Sequence, residues 1–212
     1  VDDARLVVAN ALDAARHGAR ILVGTECLRA RREAGEWRAV LSSGEEIRAR
    51  ALVNAAGPWA KEVLNSRLGE GTRDAIRLVK GSHIVLPRLY EGEHAFILQN
   101  DDRRVVFMIP FEERFTLVGT TDIDYAGDPA APQASEAEID YLCAAAGRYL
   151  ARAPLRTQVV WHYAGVRPLY DDGSQDPSAI TRDYTLRLDD GQGGAPVLSG
   201  FRGKITNYPR LP

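Results

Sequence analysis

IRLVKGSHIVLP (residues 76–87), HAFILQN (94–100), RRVVFMIPFE (103–112) and RFTLVGTTDI (114–123) follow one another with only short polar connections between them. Each run is rich in Val, Ile, Leu, Phe and Thr, the residues that fit a pleated, half-buried surface. Successive runs of this kind read as one antiparallel sheet. SEAEIDYLCAAAGRYL (135–150) comes next, with Ser135 and Glu138 spaced as a capping box ahead of apolar residues at helical intervals. VVWHYAGVRPLY (159–170) then reads as a last strand that leads out to Arg167.

Working outward, the texture on either side of the sheet differs. Leu6, Val7, Ala9, Ala11, Ala14 and Ala15 give an apolar helical face that ends at His17 and Gly18, and ARILVG (19–24) is predicted to be a short buried strand. CLRARRE (27–33), EWRAVLSS (36–43) and EEIRARALVNAAG (45–57) alternate as a three-stranded meander, the last run turning apolar as it enters a core. Pro58 is placed as the first residue of a helix PWAKEVLNSRL (58–68). The fold class expected is α+β: an antiparallel-sheet domain with a flanking helix, inserted into an α/β domain present only in part. The boundaries expected are 1–72 for the first α/β part, 73–165 for the sheet domain and 166–212 for the return. Both ends read as cut from a longer chain.

Composition bounds the partners. Of 212 residues, 45% are hydrophobic and 26% charged, as in ordinary globular proteins, and 27 basic against 29 acidic side chains leave a net charge of -2. No global field favours nucleic acid or an anionic membrane, so any anion site must be local. Cys27 and Cys143 form no CxxC or Cys/His cluster, so neither a disulfide framework nor a metal site is expected, and a reducing cytoplasm fits best. No signal peptide or bilayer-spanning apolar run occurs in the sequence.

A local anion site is what the stretch GVRPLYDDGSQDPSAITRDYTLRLDDGQGGAPVLSGFRGKITNY (165–208) offers. It sets Arg167, Arg182 and Lys204 at three turn or strand edges, and guanidinium forks match the oxygens of a phosphate or carboxylate. Any one of them alone would be an ordinary surface cation; the set argues for an anionic ligand. GAPVLSGFRGKIT (194–206) reads as a strand broken at Gly200 and Gly203, where bare backbone can approach a ligand closely. The pocket is expected between the two domains.

LVNAAGPWA, KGSHIVLP, ILQNDDRRVVFMIPF, FTLVGTTDIDYAGDP, YAGVRPL, AITRDYTL and SGFRGKIT stand in an order and spacing that resembles the FAD-dependent glycerol-3-phosphate dehydrogenases, a branch of the D-amino-acid-oxidase-like flavoproteins. The resemblance runs over nearly the whole chain. It implies FAD as cofactor, oxidation of sn-glycerol 3-phosphate to dihydroxyacetone phosphate, a quinone as electron acceptor and peripheral association with the cytoplasmic membrane. A homodimer is left open. The G-x-G-x-x-G turn that holds the FAD pyrophosphate in such enzymes is not found: Gly69 and Gly71 are followed by Asp74, and Gly191 and Gly193 by Pro196. The chain is therefore expected to be a central fragment that by itself holds no flavin. Two other readings stay open, a related flavin oxidase of an amino or hydroxy acid, and an inactive module.

Residue roles follow from the same resemblance. His83 resembles the base beside the substrate hydroxyl, with a histidine merely packed in a strand as the competing account; His17, His94 and His162 are assigned to structure. Arg167 and Arg182 resemble the phosphate clamp, and Lys204 a catalytic cation shared by substrate and flavin. Thr121, in the turn Thr120–Thr121–Asp122, is a substrate-binding candidate beside a purely structural reading. Ala55 and Gly57 would rest against the adenosine part of FAD, while Gly200, Gly203, Ile205 and Thr206 resemble the turn beside its isoalloxazine ring. Arg202, Asn207 and Pro209 depart from the family pattern there.

Overall fold

Beta-branched and aromatic runs become strands, and the alanine-rich runs become helices, in this chain order: α1 (Asp3–Arg16), β1 (Cys27–Glu33), β2 (Glu36–Leu41), β3 (Glu46–Ala49), β4 (Leu52–Asn54), α2 (Ala60–Glu62), β5 (Ile76–Pro87), β6 (Phe96–Gln99), β7 (Val105–Phe111), β8 (Phe115–Gly119), β9 (Ile123–Asp124), α3 (Glu136–Gly147), β10 (Trp161–Tyr170), β11 (Leu186–Asp189) and β12 (Val197–Gly200). The computed structural model describes residues 3–71, 76–170, 185–190 and 193–201. The chain divides into two compact units, one made of Val1–Arg73 with Arg182–Pro212, the other of Asp74–Thr181.

In the first unit β1, β2 and β3 form the antiparallel meander. The run read as its third strand splits in two: β3 stays in the meander, whereas β4 joins a separate sheet of order β11-β12-β4. There β12 lies parallel to β4, with Val197 opposite Leu52 and Ser199 opposite Asn54. Parallel neighbours need a long crossover, and here it consists of everything between them in sequence. After β4 the chain turns into a helical segment: a 3-10 turn (Gly57–Trp59) with Pro58 in its first turn, α2, then a π turn (Val63–Leu68) closed by Gly69 in the left-handed region. Gly57, at φ 56°, makes the turn out of β4 that a side chain would strain.

The strand expected at residues 19–24 is corrected. Residues 19–24 do not form a buried strand; Ile21, Leu22 and Val23 are exposed, Val23 by 89%. An apolar run becomes a strand only where another strand edge can take its N–H and C=O groups, and none does so among the described residues. Helix α1 has its acidic Asp3 in the first turn and Arg16 in the last, which suits its dipole, yet buries none of its residues.

The second unit is the antiparallel sheet, in the order β10-β5-β8-β7-β6, with β9 pairing β5. Side chains alternate across β5 with period 2. Ile84 and Leu86 face one side and pack with Leu98, Val106, Met108 and Val118 against Ile139, Leu142, Cys143 and Ala146 of α3. Fully burying each large apolar side chain contributes about 1.5–3 kcal/mol, so this layer is the main source of the unit's stability. Ser135 and Glu138 form the capping box at the start of α3. His83 points to the other side of the sheet, and that side carries the candidate site.

Candidate functional site

Strand register puts five residues in one row across the uncovered face of the sheet. Ile97 lies opposite Phe107, Phe107 opposite Gly119, Gly119 opposite His83, and His83 opposite Tyr163. Ile97 is 65% exposed, and Phe107, Trp161 and Tyr163 are exposed too, so this face presents an apolar, partly aromatic surface with one imidazole in it. Phe107 and His83 flank a dip at Gly119, where a Cβ would overlap the Cδ2 edge of the imidazole. On its other side the imidazole is stacked on Tyr163, with ring centroids 4.9 Å apart and planes 5° from parallel.

His83 is half-buried, and its Nδ1 is enclosed without a hydrogen-bond partner. Burial first, and the Arg167 charge second, hold its pKa below the ordinary 6.5. Neutral imidazole is the form that can accept a proton. With Nδ1 enclosed, Nε2 is the nitrogen able to meet a ligand.

The turn after β8 is anchored from the α3 side. The Glu138 carboxylate accepts from the Ser82 hydroxyl at 2.7 Å and the Thr121 hydroxyl at 2.9 Å with one oxygen, and from the Ser135 N–H and the Lys80 ammonium, each at 2.8 Å, with the other. Burial alone would raise this carboxyl, but the donors, led by Lys80, outweigh it and bring the pKa down to about 2. Thr121 has no exposed surface, and its hydroxyl also accepts the Ser82 N–H at 2.9 Å. The substrate-binding role expected of Thr121 is thus corrected. Its hydroxyl is fully used inside the unit, and it holds the turn in place. Asp122, next along, pairs with Arg167, whose side chain remains 45% exposed. A guanidinium has five N–H donors in a fork, so an Arg held by one carboxylate keeps others for an anion. Among the predicted site residues, His83 and Arg167 lie on the paired strands β5 and β10 of the second unit, and the Arg167 charge is felt at His83.

In the first unit, a cavity of about 660 Å³ lies at the end of β4, lined among others by Cys27, Asn54, Ala55, Trp59, Glu62 and Arg67. Ala55 lines this cavity, and Gly57 shapes the turn beside it. Gly200 ends β12, and among the described residues a Cβ there would meet Leu186 at an ordinary 3.7 Å. Arg182, Gly203, Lys204, Ile205 and Thr206 lie outside the described residues. Among the described residues no His, Cys, Asp and Glu cluster could hold a metal, and no helix is long and apolar enough to cross a membrane.

Gly119 and Tyr163 had no signal in the sequence as site residues, since only register sets them beside His83. Glu138 was legible as a cap, but its reach to Lys80 and Ser82 was not.

A mixed α and antiparallel-sheet architecture carrying an imidazole on an open apolar sheet face belongs to a known class. The family model DAO, described as FAD dependent oxidoreductase, matches residues 1–207, and the chain belongs to that family. Over its whole length it is 51% identical to a glycerol-3-phosphate dehydrogenase of Pseudomonas aeruginosa, of which it covers 42%, and 46% identical to a D-erythritol 1-phosphate dehydrogenase of Brucella abortus, of which it covers 43%. Its structure matches that of the glycerol-3-phosphate dehydrogenase from Bacillus halodurans complexed with FAD with a TM-score of 0.81 at 26% identity, over 99% of this chain and 41% of that one. The chain spans less than half the length of these relatives.

The residues present fit FAD in one respect. The cavity beside β4 has a size within the range of small-molecule sites, and its Glu26, Glu62 and Arg67 side chains offer acceptors and a donor for ribose hydroxyls and base edges.

Proposed function

We propose that the protein containing this chain oxidises sn-glycerol 3-phosphate to dihydroxyacetone phosphate, with FAD as the hydride acceptor. The observation that carries this reading is His83, stacked on Tyr163 and with its pKa held down by burial and then by the Arg167 charge. His83 Nε2 accepts the proton of the substrate's secondary hydroxyl, and Arg167, kept in place by Asp122, binds a phosphate oxygen through its remaining N–H groups. Arg182 adds a second fork and Lys204 a further cation on the same anion. Ile97 and Phe107 keep water from the reacting carbon. Ala55 and Gly57 would hold the adenosine part of the cofactor, and Gly200, Gly203, Ile205 and Thr206 its ring system. FAD, when bound, supplies the two-electron oxidant that takes the hydride.

The electrons pass on to a quinone, and the protein works on the cytoplasmic side of a membrane as a peripheral enzyme. Both statements rest on the resemblance described above. A longer polyol phosphate is the second reading, favoured by the identity to a D-erythritol 1-phosphate dehydrogenase. Steady-state kinetics of the full-length protein with glycerol 3-phosphate, erythritol 1-phosphate and glycerol distinguish the readings. His83→Gln lowering kcat by about 10²–10⁴-fold with little change in KM supports the base. Turnover unchanged in His83→Gln would remove it.

A further inference from the structure

We propose that Tyr163 and the bare backbone of Gly119 act as a clamp that positions His83, so that Tyr163 is a positioning residue for the reaction; this rests on the reading of His83 as the base. The three residues are consecutive members of one cross-strand row on β10, β5 and β8. The Tyr163 ring lies parallel to the imidazole on one side, and the missing side chain of Gly119 makes room for it on the other. Gly119 is not among the glycines of positive φ, and a Cβ there would overlap the imidazole, so glycine here supplies space. An imidazole alone would be free to turn about χ2, whose preferences are broad. Held between the two, it presents one nitrogen outward and encloses Nδ1. Stacking of this kind favours one ring orientation over the others.

The clamp makes the geometry of proton acceptance depend on a residue that does not itself touch the substrate. A base displaced by about 1 Å loses on the order of 10²-fold in rate. The test uses the full-length protein, with variants Tyr163→Leu, Tyr163→Phe, Gly119→Ala and His83→Gln, checked for flavin content and Tm. Kinetics are read beside the pH titration of the His83 ring by nuclear magnetic resonance with labelled histidine. Tyr163→Leu is expected to lower kcat by about ten- to a hundredfold with KM nearly unchanged, and to move the His83 titration upward as water reaches the ring. Tyr163→Phe, which keeps the stack and loses the hydroxyl, restores both. Gly119→Ala behaves like Tyr163→Leu or worse.

If His83→Gln lowers turnover while a folded, flavin-loaded Tyr163→Leu matches the parent in kcat and titration, the clamp is wrong and the base stands. Loss of activity in Tyr163→Phe equal to that in Tyr163→Leu also overturns it, because the hydroxyl and not the stacked ring would then be at work. If His83→Gln has no effect on turnover, the base reading fails, and the titration in Tyr163→Leu alone decides whether the ring is clamped.

Discussion

Lys80 and Glu138 form a buried ion pair, Nζ to Oε2 at 2.8 Å, that joins strand β5 to the first turn of α3. The Lys80 ammonium also donates to the Gln133 carbonyl at 2.8 Å, so both charges are hydrogen-bonded as well as paired. Removing one partner of such a pair strands the other, at a cost of about 3–5 kcal/mol. Glu138→Gln is therefore expected to destabilise the protein by that order in urea unfolding near pH 7, and Lys80→Met combined with Glu138→Gln by less. Because the folded pKa, about 2, lies below the ordinary 4.5, Glu138 contributes stability that is present above pH 4.5 and lost as pH falls from there towards 2. The difference in stability between parent and Glu138→Gln should shrink across that window. A difference that stays constant from pH 7 to 3 would contradict the assignment.

Gly81, between Lys80 and Ser82 in β5, is a glycine for reasons of space. A Cβ there would collide with the Thr120 hydroxyl and come within 3.2 Å of the Thr121 carbonyl oxygen. Gly81→Ala should push the turn after β8 outward and loosen Asp122 from Arg167, at a cost of about 1–3 kcal/mol in stability. Its Tm should fall by several degrees, and, on the proposed function, KM of the full-length protein for glycerol 3-phosphate should rise more than kcat falls. An alanine variant with unchanged Tm would mean that the turn yields freely.

His83 and Arg167 are coupled through charge. His83 must be neutral to accept a proton, and burial, then Arg167, hold its pKa below 6.5. The acid limb of kcat/KM for the full-length enzyme should therefore fall under pH 6.5. In Arg167→Ala the limb should move upward, because one of the two causes of the depression is gone, and on the proposed reading of Arg167 as part of a phosphate clamp KM should rise as well. The same depressed pKa means that native stability declines as pH drops below 6.5, and His83→Gln should remove that part of the decline. A limb that stays in place in Arg167→Ala would show that the two groups do not sense each other.

Alternation and turn residues made the antiparallel sheet legible, because strand period and short polar connections are written locally in residues 76–123. The capping box at Ser135 and Glu138 was legible for the same reason. What failed needed a partner that no local pattern names. Residues 19–24 have the composition of a strand, but composition does not supply an edge to pair with, and Val23 lies in the open. Thr121 sat in a turn that sequence alone could aim either way; the donors required by the buried Glu138 carboxylate turn it inward. His83 could be singled out by motif, whereas its neighbours Gly119 and Tyr163 come from strands far along the chain, and a register shift of one residue would have sent each to the opposite face. Arg167 is read from the sequence as part of a phosphate clamp, but its pairing with Asp122, which the same turn sets, was not legible there.

Trp37 ties the meander of the first unit to the start of β12. It is 1% exposed, and its indole N–H donates to the Pro196 carbonyl at 2.9 Å. That carbonyl also accepts the Leu52 N–H at 3.0 Å, so its two lone pairs serve the meander and β4 at once. Arg32 supports the arrangement: its guanidinium lies 4.5 Å from the centre of the Trp37 ring and donates to the Ala195 carbonyl at 2.7 Å. Two side chains from the meander thus fix the two residues that lead β12 into its parallel pairing with β4. Trp37→Phe removes the donor and part of the volume, and the hydrogen bond accounts for about 1 kcal/mol and the lost packing for about as much again. Trp37→Ala should cost about 3–5 kcal/mol. The effect should also be local, with amides of β12 and β4 exchanging hydrogen faster in Trp37→Phe while those of β7 and β8 keep their protection. Uniformly faster exchange in all four strands, or a stability loss under about 0.5 kcal/mol, the size of an ordinary surface change, would show that β12 is held by its strand pairing alone.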